Sequence, residues 1–267
     1  MYVKKNRKII LKERPVGKPK IENFFLEESS IPKPKEGHVL CRTIFLSLDP
    51  YMRGRMNAGK SYAPPVEINE VMCGGTVGRV IESKYSGLSE GDFVFGYGGW
   101  QEYWTLHGME LKKVYPDIAL ISTAIGVLGM PGITAYNGLL NIGKPQKGET
   151  VVVAAASGAV GSVVGQIALI KGARVIGIAG SLEKCIYVKE KLGFNSCLNH
   201  NSPGFAEDIK NVCSEGIDVY FENVGGKVFQ AVLPLLNDFA RIPVCGIISE
   251  YNATKLSSGP DLTSKLM

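Results

Sequence analysis

The sequence predicts an α/β protein, with a doubly wound parallel sheet in its C-terminal half and a β-rich domain before it. Three observations carry this. From residue 150 onward, short apolar runs alternate with helical stretches, five strands with four helices between them. Short links between such units imply a parallel sheet with right-handed crossovers. Glycines punctuate the first strand–helix junction, in AAASGAVGSVVGQIA (154–168). Before residue 120 the apolar segments are short, rich in β-branched and aromatic residues, and separated by Pro and Gly.

A chain of 267 residues accommodates two domains, here read as 1–122 and 123–267. With 45% hydrophobic and 21% charged residues, disordered and fibrous classes are excluded. The net charge of +5 is mild, and much of it sits in MYVKKNRKIILKERPVGKPK. Without interleaved aromatics this reads as a solvated edge strand and loop, so no nucleic-acid partner is expected. No apolar stretch reaches the length of a membrane span, and no apolar core follows the basic start as in a signal peptide. Six scattered cysteines without C-x-x-C spacing suit free thiols in a reducing cytoplasm.

In the first half, HVLCRTIFLSLDPYM (38–52), GGTVGRVIES (74–83), DFVFGY (92–97) and WQEYWTL (100–106) read as β segments of a small barrel or sandwich. Residues 121–144 have helical periodicity with a Pro/Gly break at 131–132. Then come a strand at 150–156 and a helix at 158–172. A strand at 173–180 leads to a helix at 181–193, with Ser181 as N-cap. A short strand at 195–200, a helix at 203–216, a strand at 217–226, a helix at 227–237 and a strand at 240–248 complete the order.

The glycine run admits two readings. Gly158, Gly161 and Gly165 can pack a helix closely on the sheet. Alternatively, Gly158-Ala159-Val160-Gly161 can hold a pyrophosphate against the open N–H groups of a helix N-terminus. Its place at the first strand–helix junction favours the second. An NAD site wants an acid at the end of the next strand, for the ribose 2′-hydroxyl. Here Gly180-Ser181-Leu182-Glu183-Lys184 puts no acid at the tip. Ser181 and Lys184 can instead meet a 2′-phosphate, which points to NADP(H). Lys184 can also be a solvated helix residue, and Glu183, near the tip, keeps NAD open.

Catalytic zinc needs three protein ligands. His38, His107 and His200 are the only histidines, and Cys73-Gly74-Gly75 and Cys41 form no ligand set with them. No metal site is expected. Without a Lewis acid, hydride addition to an activated double bond is the more accessible chemistry.

LSLDPYMRGRM (46–56), GWQEY (99–103), AASGAVGSVVGQIA (155–168), ENVGG (222–226) and ARIPVCGIISEYNA (240–253) together resemble the zinc-independent medium-chain dehydrogenase/reductases. Within these they are most similar to the NADP-dependent alkenal, prostaglandin and curcumin reductase group. The resemblance implies a GroES-like domain, a Rossmann domain and a cleft between them. It implies NADPH-dependent reduction of the C=C bond of α,β-unsaturated ketones and aldehydes, and a homodimer for the full-length chain. By motif, Gly158, Ala159, Val160 and Gly161 would hold the pyrophosphate. Ser181, Lys184 and His200 would meet the 2′-phosphate; family members often carry Tyr at the last position. Asn223 would line the cofactor, and Cys245, Gly246, Ile247, Ile248, Ser249 and Tyr251 would follow its nicotinamide half. Tyr251 would donate to the developing enolate oxygen, or else is a packed aromatic. Tyr51 would line the substrate side, or else packs.

The resemblance also implies that the chain stops early, at LSSGPDLTSKLM, short of a further strand and a C-terminal segment. Either the sequence is a fragment or the product is a true truncation; in the second case weaker cofactor binding and an incomplete dimer interface are expected. A quinone reductase of the same superfamily and a nucleotide-binding protein without catalysis are the alternative readings.

Overall fold

The computed structural model describes residues 5–59, 61–255 and Gly259, in two units, Met1–Gly126 and Val127–Met267. The basic start of the chain forms an edge ribbon. Strand β1 (Lys5–Leu11) pairs antiparallel with β2 (Phe24–Ser30). Lys5 and Lys8 reach Glu28 and Glu27 at 2.8 and 2.7 Å. Pairs of this kind contribute up to about 1 kcal/mol. Burying Ile10 and Leu11 contributes roughly 1.5–3 kcal/mol each. The apolar side therefore holds the strand, and the charges are its solvated face.

Five further strands follow: β3 (His38–Leu46), β4 (Thr76–Ser83), β5 (Phe93–Gly96), β6 (Tyr103–His107) and β7 (Lys112–Val114). They form an antiparallel sheet in the order β6-β3-β4-β5-β7. Trp104 is buried against Val39, Cys41 and Val80, and its indole N–H donates to Thr43 Oγ1 at 2.9 Å. The segment 38–52, expected to be β throughout, stops being a strand at Leu46. Pro50 has φ −56° and opens helix α1 (Tyr51–Arg55); its locked φ starts a helical turn and cannot donate to a ladder. His107 ends β6 rather than lying in the loop beyond it.

In the second unit, Pro131 lies in the first turn of α2 (Met130–Asn137). It begins that helix instead of breaking it, because its missing N–H would have no partner there. The alternation then runs β8 (Thr150–Ala154), α3 (Gly161–Ile170), β9 (Arg174–Ala179), α4 (Leu182–Glu190), β10 (Ser196–Asn199), α5 (Phe205–Val212), β11 (Ile217–Phe221), α6 (Gly226–Val232) and β12 (Leu236–Arg241). All pairs are parallel, in the order β10-β9-β8-β11-β12. Residues of β8 are buried without alternation, because both faces are covered. Val151 and Val153 pack with α3 through Val164 and Ala168. Val152 and Ala154 pack with α5 and α6 through Ile209 and Val228. The strand order reverses direction at β8, which creates a switch point at the carboxyl end of the sheet.

The last strand departs from expectation. It occupies Leu236–Arg241, not 240–248, and takes in residues assigned to the preceding helix. Pro234 sits in a short 3-10 turn, Leu233–Leu235, after α6. Pro243 cannot donate to a ladder, and among the described residues beyond Arg241 only a bridge from Val244 to Glu222 remains. The expectation about an early chain end falls on LSSGPDLTSKLM, which apart from Gly259 lies outside the described residues.

Candidate cofactor site

The carboxyl end of the parallel sheet gathers most of the residues singled out from the sequence. After β8, Ala155 adopts φ +51°, and its carbonyl accepts from Gly158 N at 2.9 Å. A Cβ on Gly161 would overlap the Ala155 carbonyl oxygen, and one on Gly165 would overlap the Cζ edge of the Phe194 ring. Packing thus accounts for these two glycines. It does not account for the open amides. The N–H groups of Ala159, Val160 and Gly161 have no acceptor among the described residues. They stand at the start of α3, where the helix dipole adds positive potential.

A second group lies at the ends of β9 and β10. Ser181 Oγ caps α4 by accepting from Lys184 N at 3.2 Å, which leaves its own O–H available to donate. Lys184 is exposed and forms no ion pair among the described residues. His200 N donates to Ala179 O at 3.0 Å, so its ring stands beside the same turn. A Cβ on Gly180 would lie 3.4 Å from His200 Nε2. His200 Nδ1 is buried without a partner among the described residues. Burial, then the Lys227 and Lys184 charges, hold the imidazole below its usual pKa. Asn201 donates to Gly180 O at 2.9 Å and accepts from Lys227 Nζ at 3.1 Å. Neither Asn201 nor Lys227 was singled out from the sequence. They come from different strand–helix units, and only the fold joins them.

The third group follows β11. Asn223 Nδ2 donates to Ala154 O at 2.7 Å, tying this turn to the glycine turn. Glu222, 1% exposed, accepts from Val224 N, from Gly225 N at 2.8 Å and from Tyr220 Oη at 3.1 Å. Cys245 N donates to Glu222 O, Ile248 N to Asn223 O and Ser249 N to Val224 O, at 2.9, 3.3 and 3.0 Å. Cys245, Gly246, Ile247, Ile248, Ser249 and Tyr251 are thereby stitched onto the ENVGG turn. Part of this stretch, expected as strand to residue 248, is a 3-10 turn at Ile248–Glu250. The Tyr251 hydroxyl lies 2.8 Å from where a Cβ on Gly246 would be and has no hydrogen-bond partner among the described residues.

Tyr51 belongs to the first unit. It is half-buried at the start of α1. Burial above all, then Cys73 and Asp49, push its phenol above the usual range, so it stays protonated. Arg55, at the other end of α1, has a buried Nε without a partner among the described residues. Arg55 was not singled out from the sequence.

Residues 7–114 match the family model for the N-terminal domain of oxidoreductase, and residues 159–265 that for zinc-binding dehydrogenase. NADPH-dependent curcumin reductase of Escherichia coli is 57% identical over 263 residues, 98% of this chain and 76% of that protein. The chain belongs to the medium-chain dehydrogenase/reductase family. Within that family it stands in the NADP-dependent group of curcumin and prostaglandin reductases. Prostaglandin reductase 1 of Bos taurus is 43% identical over 94% of this chain and 75% of its own length. A crystal structure of CurA in complex with NADPH, from Vibrio vulnificus, superposes with a TM-score of 0.92 at 57% identity, covering 97% of this chain and 77% of that one.

The second family description implies zinc, and the donors do not fit it. Among the described residues no three His, Cys, Asp or Glu side chains gather closely enough to hold a metal. A dinucleotide phosphate does fit: open amides stand at one switch-point turn, and unpaired cations stand at the next. No helix of the described residues is long and apolar enough to cross a membrane.

Proposed function

We propose that this protein is an NADPH-dependent oxidoreductase that reduces the C=C bond of α,β-unsaturated ketones and aldehydes. The observation that carries the reading is the pair of anion subsites on one sheet edge, in a chain 57% identical to an NADPH-dependent curcumin reductase. Gly158, Ala159, Val160 and Gly161 present amides to the pyrophosphate. Ser181, Lys184 and His200 face the 2′-phosphate. Asn223 and the stretch Cys245–Tyr251 flank the nicotinamide half.

A bound NADPH would supply hydride to the β-carbon of the substrate, and the resulting enolate would take a proton from solvent at the α-carbon. The protein's task is then to position the enone and stabilise the oxygen on which charge develops. Tyr251, with an unengaged hydroxyl, donates to that oxygen. Tyr51, protonated and half-buried, is the first unit's candidate for contact with a small hydrophobic substrate. The resemblance also supports a homodimer for the full-length chain, and the six free cysteines suit a reducing cytoplasm; light scattering of the purified protein checks the dimer.

The test is NADPH oxidation at fixed pH with a panel of enones, alkenals, quinones and saturated carbonyls. Turnover of enones and alkenals, with products two hydrogens heavier and lacking the C=C bond, is expected. Turnover of quinones alone, or NADPH binding without oxidation, would overturn the reading.

A further inference from the structure

We propose that Lys227 is a second cation for the 2′-phosphate and helps select NADPH over NADH. The inference rests on the reading that the protein binds NADPH. Lys227 lies after β11, two strands from β9, whose tip carries Ser181 and Lys184. An exposed lysine there would ordinarily be a solvated surface charge. Asn201 makes this one different.

The Asn201 side chain is anchored to Gly180 O at 2.9 Å, and its backbone N–H is held by Asn199 Oδ1 at 3.0 Å. Its remaining oxygen accepts from Lys227 Nζ at 3.1 Å. A neutral amide therefore holds the ammonium in place without cancelling its charge, and the other N–H donors of Lys227 have no partner among the described residues. The ammonium is close enough to His200 to disfavour its protonation, more strongly than Lys184 does. Around the Gly180–Ser181 turn the charged and titratable groups are thus Lys184, Lys227 and His200, with Glu183 exposed on α4. No carboxylate forms an ion pair with either lysine among the described residues.

Like charges held together without a counter-ion raise the energy of the unliganded protein. A phosphomonoester dianion removes that repulsion and accepts from all three groups; a ribose hydroxyl does neither. Two cations supplied by separate strand–helix units also fix where the phosphate sits, which a single flexible lysine does not.

The experiment is a fluorescence and calorimetric titration of wild type, Lys227→Met and Lys227→Arg with NADPH, NADH, 2′,5′-ADP and 5′-AMP. Lys227→Met is expected to weaken NADPH and 2′,5′-ADP about tenfold while NADH and 5′-AMP stay within about twofold, as for loss of one close charge pair. Lys227→Arg should recover most of the loss. Unchanged 2′,5′-ADP binding by Lys227→Met, or equal weakening of both nucleotide pairs, would overturn the proposal and leave the reductase reading standing. The expected pattern in a protein that reduces no enone would sink the reductase reading and leave Lys227 in place.

Discussion

Asn223, in the turn after β11, donates from Nδ2 to the carbonyl oxygen of Ala154 at the end of β8, at 2.7 Å. This bond joins the two neighbouring strand ends at which the chain switches direction across the sheet. It sets the spacing between the open amides of residues 159–161 and the stretch 245–251. Asn223→Ala should cost about 1–3 kcal/mol in urea unfolding, because a carbonyl loses its partner. NADPH affinity should fall with it. Full affinity in the variant would show that the two turns hold their spacing without the bond.

Gly161 and Gly165 separate two demands on one helix. Gly165→Ala pushes a methyl into the Phe194 ring and should destabilise by about 1–3 kcal/mol through overpacking. At low temperature its NADPH Kd should match wild type. Gly161→Ala strikes the Ala155 carbonyl, within the glycine turn itself, and should lose stability and NADPH binding together. Thermal melts and titrations of both variants distinguish these outcomes.

Glu222 closes the ENVGG turn from inside by accepting from two amides and the Tyr220 hydroxyl. Glu222→Gln retains one acceptor oxygen and should cost about 1–3 kcal/mol. Glu222→Leu orphans all three donors and should cost more than Glu222→Gln. Chemical denaturation measures both, and a Leu variant as stable as wild type would remove Glu222 from this role.

The proposed place of His200 at the 2′-phosphate predicts a pH dependence of NADPH binding with a defined sign. Its pKa is held below the usual histidine range by burial and then by the Lys227 and Lys184 charges, so the free protein carries it neutral near pH 7. A bound dianion raises that pKa, and binding then takes up a proton. The NADPH Kd should therefore tighten as pH falls from about 8 toward about 6.5, with NADH unaffected. Without ligand the sign reverses. The unfolded chain binds the proton more readily, so the contribution of His200 to stability is lost as pH falls below about 6.5. His200→Phe should flatten both profiles.

Tyr251→Phe should lower kcat about ten- to a hundredfold on an enone and leave the NADPH Kd unchanged, as for loss of one donor to a developing oxyanion. Tyr51→Phe should act mainly on KM, and less. Equal kcat for Tyr251→Phe and wild type would leave Tyr251 a packed aromatic.

Local signals singled out residues that the fold gathers at the carboxyl end of the parallel sheet. Ser181 ahead of LEK is an N-cap in the sequence and in the structure. The unbroken apolar run of β8 announces a strand covered on both faces. Where Pro131, Pro234 and Pro243 stand, the pattern misled: each proline lies at a boundary, and periodicity alone does not say on which side the helix or strand falls. The last strand was displaced for that reason.

By itself the sequence determined the α/β alternation, the glycine turn and the family resemblance, because each is written in contiguous residues whose spacing matches a backbone period. The tertiary structure alone decided that Asn201 holds Lys227, that Asn223 bonds Ala154, and that Glu222 caps its own turn from a buried position. These contacts depend on side-chain direction and on strand order, β9 beside β8 and β8 beside β11. A linear pattern carries neither. Parallel strands need long crossovers, so residues far apart in the chain converge at one sheet edge only when the whole sheet has formed.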